Sequence, residues 1–255
     1  MKIKDIRFKI ARLKFNSIII FSNFISFFLW NIFSVKPKDY KSIPIIINNF
    51  NRLECLKKLI NRLEKGGYKN IYIIDNNSSY PPLLEYYKTI NYPIFHLKKN
   101  VGYLALWKTG IYKKFIRGYY VYTDPDVIPI DECPDNFLEY FFQIMQQYKT
   151  VQKVGFGLRI DNLPDTFPNK TKVIEWEQHF FEKPLNNNIY NAQIDTTFAL
   201  YRPFTGGEAH KYKFNIRTGM PYMAEHLPWY QSDKLSEEDI YYKNHIQTST
   251  HWSKQ

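Results

Sequence analysis

Between Ile43 and Ile160 the chain alternates short apolar runs with stretches of helical period, and this alternation restricts the fold more than any other feature. Ile43 to Ile47 is a β-branched run that reads as a buried strand. Leu53, Leu56, Ile60 and Leu63 then recur at helical spacing until Gly66-Gly67 stops the helix. The same logic predicts strands at Asn70 to Asp75, Pro93 to Leu97, Tyr119 to Thr123 and Val154 to Ile160. It predicts helices at Pro82 to Ile90, over 103–116 and at Phe137 to Tyr148. Strand and helix in alternation imply an α/β fold, Rossmann-like, with a mostly parallel sheet and helices on both faces. The last third is less regular, and its clearest element is a strand over Gln193 to Tyr201.

Open parallel sheets bind ligands beyond the carboxyl ends of their strands. Those positions here hold Asn48-Asn49-Phe50-Asn51-Arg52, Asp75-Asn76-Asn77-Ser78, Asn100-Val101-Gly102 and Asp124-Pro125-Asp126. Asn, Asp and Ser are ordinary turn residues, but polar groups at four successive strand ends exceed what turns require. Asp124 and Asp126 form the most informative pair. Two carboxylates two residues apart at the end of a buried strand repel each other unless a cation joins them. A hard divalent ion fits, since it takes oxygen ligands and completes its shell with substrate phosphates.

With these motifs in place, the sequence resembles the family 2 type of GT-A fold glycosyltransferases. Residues 43–52 (IPIIINNFNR) look like the first strand and donor-binding loop of that family, and 73–79 (IIDNNSS) like the second strand. Asn100-x-Gly102 resembles its Asn-x-Gly, and Asp124-Pro125-Asp126 stands at the place of its Asp-x-Asp. The resemblance implies a nucleotide-sugar donor, a UDP-sugar above all, held by Asn49, Asn51, Arg52, Asp75, Asn77, Asn100, Gly102 and Asp124. It implies Mn²⁺ or Mg²⁺ on Asp124 and Asp126, with His226 as a third ligand, and transfer to a glycan or lipid-linked acceptor by an inverting displacement. The donor half is expected over 42–130 and the acceptor half over 131–255.

The catalytic base is less plainly marked. The family places it in an acidic pair opening a helix, and Ser236-Glu237-Glu238-Asp239 has those letters close to the C-terminus. The same four residues also spell an N-capped, acidic first helical turn, which is the reading taken. Asp195, inside an apolar run, and Glu225, beside His226, are the candidates for the base. A salt bridge from Asp195 to Arg202 or Arg217 is an alternative. Trp229 and Tyr230 are read as acceptor-stacking or core residues. Two rivals remain: a non-catalytic membrane-associated scaffold, and a sugar nucleotidylyltransferase, which would need a Gly-rich phosphate loop where 48–52 has no glycine.

The net charge of +11 raises the question of nucleic acid, and its distribution answers it. Residues 1–41 carry nine Lys/Arg against two Asp, leaving a net of only +4 on the remainder. Ile3, Ile6, Ile10 and Leu13 share one helical face, and 17–35 hold no charge but many Ser and Asn. A basic, amphipathic start points to helices associating with an anionic membrane surface through 1–35, not to nucleic acid. A helix over 17–35 packed on the domain is the alternative. Two cysteines, Cys55 and Cys133, exclude a disulfide scaffold, and a cytoplasmic, peripherally attached protein is expected.

Overall fold

The computed structural model describes residues 28–30, 32, 34–194, 198–206, 214–230 and 235–246. Ten strands are found among them: β1 (Ile45–Asn49), β2 (Ile71–Asp75), β3 (Ile94–His96), β4 (Tyr120–Thr123), β5 (Val127–Pro129), β6 (Lys153–Leu158), β7 (Pro184–Asn186), β8 (Ile189–Asn191), β9 (Ala199–Tyr201) and β10 (Asn215–His226). The helices are α1 (Glu54–Lys65), α2 (Pro81–Tyr87), α3 (Ala105–Lys108), α4 (Phe137–Gln147), α5 (Lys170–Gln178) and α6 (Glu237–His245).

The strands form one sheet in the order β3-β2-β1-β4-β9-β6-β10-β8-β7, with β5 alongside β10. Successive side chains of a strand face opposite ways, and the core divides accordingly. Ile45, Ile47, Ile71, Ile73 and Val121 meet Leu56, Leu59, Ile60 and Leu63 of α1 and Phe137, Phe141 and Met145 of α4 on one face. Ile46, Ile74, Tyr120 and Tyr122 meet Ala105, Leu106 and Phe115 on the other. Both faces of the first strands are therefore covered, as their unbroken apolar runs require.

The expectation of a mostly parallel sheet holds over its first half and again where β6 pairs in parallel with β10, but not elsewhere. β1 pairs in parallel with β2 and β4, and β2 with β3. β9 then enters antiparallel between β4 and β6, and β5 and β8 pair antiparallel with β10. The sheet is thus mixed, and the sequence does not reveal it because strand direction leaves no mark in a fully buried run. The strand expected over Gln193 to Tyr201 begins at Ala199, and 195–197 lie outside the described residues. The helix expected over 103–116 is interrupted at Gly110, whose φ of 77° ends α3 and starts a 3-10 turn.

Residues 1–27, which hold most of the expected membrane segment, lie outside the described part. Among the described residues no helix is long and apolar enough to cross a membrane. The end of that segment packs on the domain. Trp30 is buried, its indole N–H donates to the Tyr119 hydroxyl at 3.0 Å, and the Arg202 guanidinium lies 4.3 Å from the centre of its ring. Val35 bridges to Gly118.

Candidate active site

Along the chain β1, β2 and β3 step outward in one direction, and β4 then returns to the other side of β1. The strand order reverses between β1 and β4, so a crevice opens there beyond the strand ends. Asn49 lies in register with Asp75, and Ile47 with Thr123, which puts 48–52, 75–78 and 124–126 at one edge.

The loops on the β1–β2 side are tied together by their own polar groups. Asn49 is fully buried and its Nδ2 donates to the Tyr87 hydroxyl at 2.9 Å, which in turn donates to Asp75 Oδ1 at 3.4 Å. Asp75 also accepts from the Ser78 N–H, and its Oδ2 lies 3.2 Å from His96 Nδ1. Burial foremost, with the Asp75 charge beside it, pushes the Tyr87 phenol far up. Asn51, at φ 52°, accepts from the N–H groups of Ser79 and Tyr80. Asn77 sits exposed at φ 68°, a left-handed turn position, while its buried neighbour Asn76 makes the contacts. Asn76 accepts from Val101 N–H and donates to the Gly102 carbonyl, joining two loops. Asn100 accepts from Gly102 N–H, and Gly102 takes φ 80°, where a side chain would be strained.

Across the crevice Asp126 precedes β5, and its carbonyl accepts from Leu227 N–H at 2.8 Å. This seats His226 beside it, with Nε2 3.6 Å from Asp126 Oδ2. Burial lowers the His226 pKa against the opposing pull of Asp126, so neutral imidazole is favoured. Its ring meets buried Trp229 edge-on at 4.7 Å. Trp229 is thus a core residue, and the Tyr230 hydroxyl bonds Arg159 O and Asn162 Oδ1.

The fit to a cation is partial and specific. Among the described residues no three His, Cys, Asp or Glu side chains converge as a ready ligand set. Asp126 and His226 are spaced as two ligands of one ion would be, each at ~2.1–2.2 Å from it. The remaining positions suit water and phosphate oxygens, the usual partners of Mg²⁺.

Several charged side chains, sequence candidates among them, are already engaged. Arg52 Nη1 bonds Asp239 Oδ1 at 2.5 Å. Lys108 donates to Val101 O, and Arg159 pairs with Glu132 and Asp161. Glu225 lies in register with Ile128 and accepts from Asn162 Nδ2 at 3.1 Å. As the strand neighbour of His226 it faces the other way, so it does not join the Asp126–His226 pair. Asp195 lies outside the described residues. Arg217 pairs with Glu177 at 2.6 Å, and Arg202 donates to the carbonyls of Val151 and Met145.

Ser236 caps α6 and shares a capping box with Asp239, in line with the N-cap reading. Sequence reasoning missed Tyr87 and His96, chose Asn77 over its strand-end neighbour Asn76, and missed the contacts that Glu238 and Asp239 make with the β1 loop. The buried, hydrogen-bonded Tyr87 lies 12 residues from Asp75, and only the α2 register brings them together.

No protein-family model and no curated protein matches the chain. Solved structures with partial likeness include two of S. aureus TarS and one of a mycobacterial protein. One TarS structure, of residues 1–349, is 14% identical at a TM-score of 0.38, over 63% of this chain and 47% of that one. The other is 12% identical at 0.44, over 78% and 38%. The mycobacterial protein is 12% identical at 0.43, over 77% and 69%. The chain thus spans less than half of either TarS structure. With likenesses this loose, its own strand order and side chains carry the functional reading.

Proposed function

We propose that the protein is a metal-dependent glycosyltransferase that moves a sugar from a nucleotide-sugar donor to a hydroxyl of a glycan or lipid-linked acceptor. The observation that carries this reading is the reversal of strand order between β1 and β4, with Asn49 and Asp75 on one side and Asp126 and His226 on the other. Buried Asn48 Oδ1, Asn49 Oδ1 and Asn51 Nδ2 have no partner in the structure. Buried polar groups are rarely left so, and a nucleoside would satisfy them.

Charge supports the metal. Asp126, Glu238 and Asp239 lie around the Arg52 guanidinium. A diphosphate entering such a site meets net negative charge, so a divalent cation must come with it. Asp126 and His226 would hold that cation, with Asp124 supporting it or the ribose. Bound there, the ion would supply charge stabilisation for the departing nucleotide. Asp75, Tyr87 and Asn49 hold the nucleoside end in place. The acceptor oxygen bonds the anomeric carbon as the bond from that carbon to the nucleoside diphosphate breaks, and the acceptor's proton passes to a carboxylate. Asp195 is proposed for that role, because Glu225 faces away from the pair. The transfer is proposed to invert the anomeric centre.

The basic segment 1–35 is proposed to attach the protein to an anionic membrane surface. Exposed Phe28, Ile32 and Val35 extend that apolar character into the described residues. A screen of UDP-, GDP- and dTDP-sugars for metal-dependent donor hydrolysis tests the activity. Asp195→Asn should keep nucleotide binding yet slow transfer by at least about a hundredfold, the scale of general-base assistance. Absence of turnover with all three donor classes, or full transfer by the variant, refutes the respective assignment.

A further inference from the structure

Helix α6 is separated from β1 by nearly the whole chain, yet its first two turns are built against the β1 loop. Glu238 Oε2 accepts from the N–H groups of Leu53 at 2.7 Å and Glu54 at 2.9 Å, occupying the start of α1. Asp239 holds Arg52, and the Arg52 guanidinium lies 3.8 Å from the centre of the Tyr242 ring. The Tyr241 hydroxyl donates to Ser79 at 3.0 Å, which ties the β2 loop to the same helix.

Capping α6 uses only the Asp239 Oδ2, which accepts from Ser236, and leaves Oδ1 to Arg52, while Glu238 takes no part in the box. Burying two adjacent carboxylates is costly unless each is paired. Glu238 and Asp239 are 6% and 7% exposed, and among the described residues 52–54 supply partners that compensate both. Desolvation pushes Asp239 up, but hydrogen bonds from Ser236 and Arg52 outweigh it and hold its pKa below the usual value. Arg52, so held, is also within electrostatic reach of Asp126 across the crevice.

We propose that Asp239 and Tyr242 are positioning residues for the donor, fixing Arg52 and the 48–52 loop so that the C-terminal helix completes the nucleotide site. This rests on the donor-crevice reading above. Neither residue touches the reacting atoms; each acts through Arg52.

The test is calorimetric titration of UDP with Mn²⁺ into the full chain, in parallel with thermal unfolding. Variants are Arg52→Gln, Asp239→Asn, their double variant, Asp239→Glu and Tyr242→Leu. Asp239→Asn should weaken UDP binding by about tenfold or more, as loss of a buried charge-assisted bond does. The double variant should bind no more weakly than Arg52→Gln alone, since both act through one contact. Asp239→Glu should recover part of the affinity. Should Asp239→Asn fail to fold, Tyr242→Leu and Arg52→Gln run the same cycle. Variants that bind UDP as the wild type does, or losses that simply add, overturn the proposal and leave the donor crevice standing. A wild type that binds no UDP overturns both.

Discussion

Asp75 shows how a site residue can be indispensable locally as well as to a ligand. Its two oxygens meet the Ser78 N–H, the Tyr87 hydroxyl and His96 while it is 3% exposed. Asp75→Ala takes this acceptor from the buried Tyr87 hydroxyl, and leaving a buried donor unsatisfied typically costs about 1–3 kcal/mol. Urea unfolding should register that loss, and UDP affinity should fall by roughly tenfold; a variant with native stability and affinity would refute both roles. The cysteines make a second residue-scale case. Burial foremost pushes the Cys55 and Cys133 thiols up to about 12. Neither should be appreciably thiolate at pH 8, so a thiol reagent should titrate neither in the native protein and both in denaturant. Prompt reaction of one in the native state would contradict its placement.

At the scale of elements, the first half of the fold was legible because its strands are apolar on both faces and its helices carry a stripe. Ile45 to Ile47 are fully buried, and Leu56, Leu59 and Leu63 line α1 toward the sheet. The second half was not, for physical reasons. β10 runs from Asn215 to His226 with exposed residues in its middle, and its register with β6 shifts between Thr218 and Met223. No period-2 pattern survives such an irregularity. The hairpin β7–β8 is short and mostly unburied, so no apolar run marks it in the sequence. The Asp-x-Asp and the β1 loop were legible from position alone, whereas the Arg52–Asp239 contact depends on tertiary structure. β6 supplies an element-scale prediction. A Cβ on Gly157 would lie 2.4 Å from the Thr218 carbonyl oxygen, inside the backbone of β10. Gly157→Ala should destabilise by about 1–3 kcal/mol and lower the Tm by several degrees. An unchanged Tm would mean that the β6–β10 pairing differs from the one described.

For the whole molecule, the boundary between tail and domain lies upstream of the position the charge pattern suggested. Trp30 is buried against Tyr119 and Arg202, so a chain beginning at Lys41 uncovers both. Such a chain should still bind nucleotide but unfold more readily, by about 2 kcal/mol or more, whereas one beginning at residue 28 should match the full chain. Equal stability of the two truncations would detach Trp30 from the core. Vesicle sedimentation completes the comparison. The full chain should bind anionic vesicles in a salt-sensitive way, as a basic segment does, and the chain from residue 28 should bind far less.

In the function proposed, a divalent cation on the Asp126–His226 side and a nucleotide on the Asn49–Asp75 side share one crevice. Titrating UDP into the full chain with Mn²⁺, with EDTA, and into Asp126→Asn tests it most directly. UDP should bind saturably with Mn²⁺ and not in EDTA or in Asp126→Asn, while thermal unfolding shows the variant still folded. UDP binding that is equally tight in EDTA, or unchanged in Asp126→Asn, would contradict it.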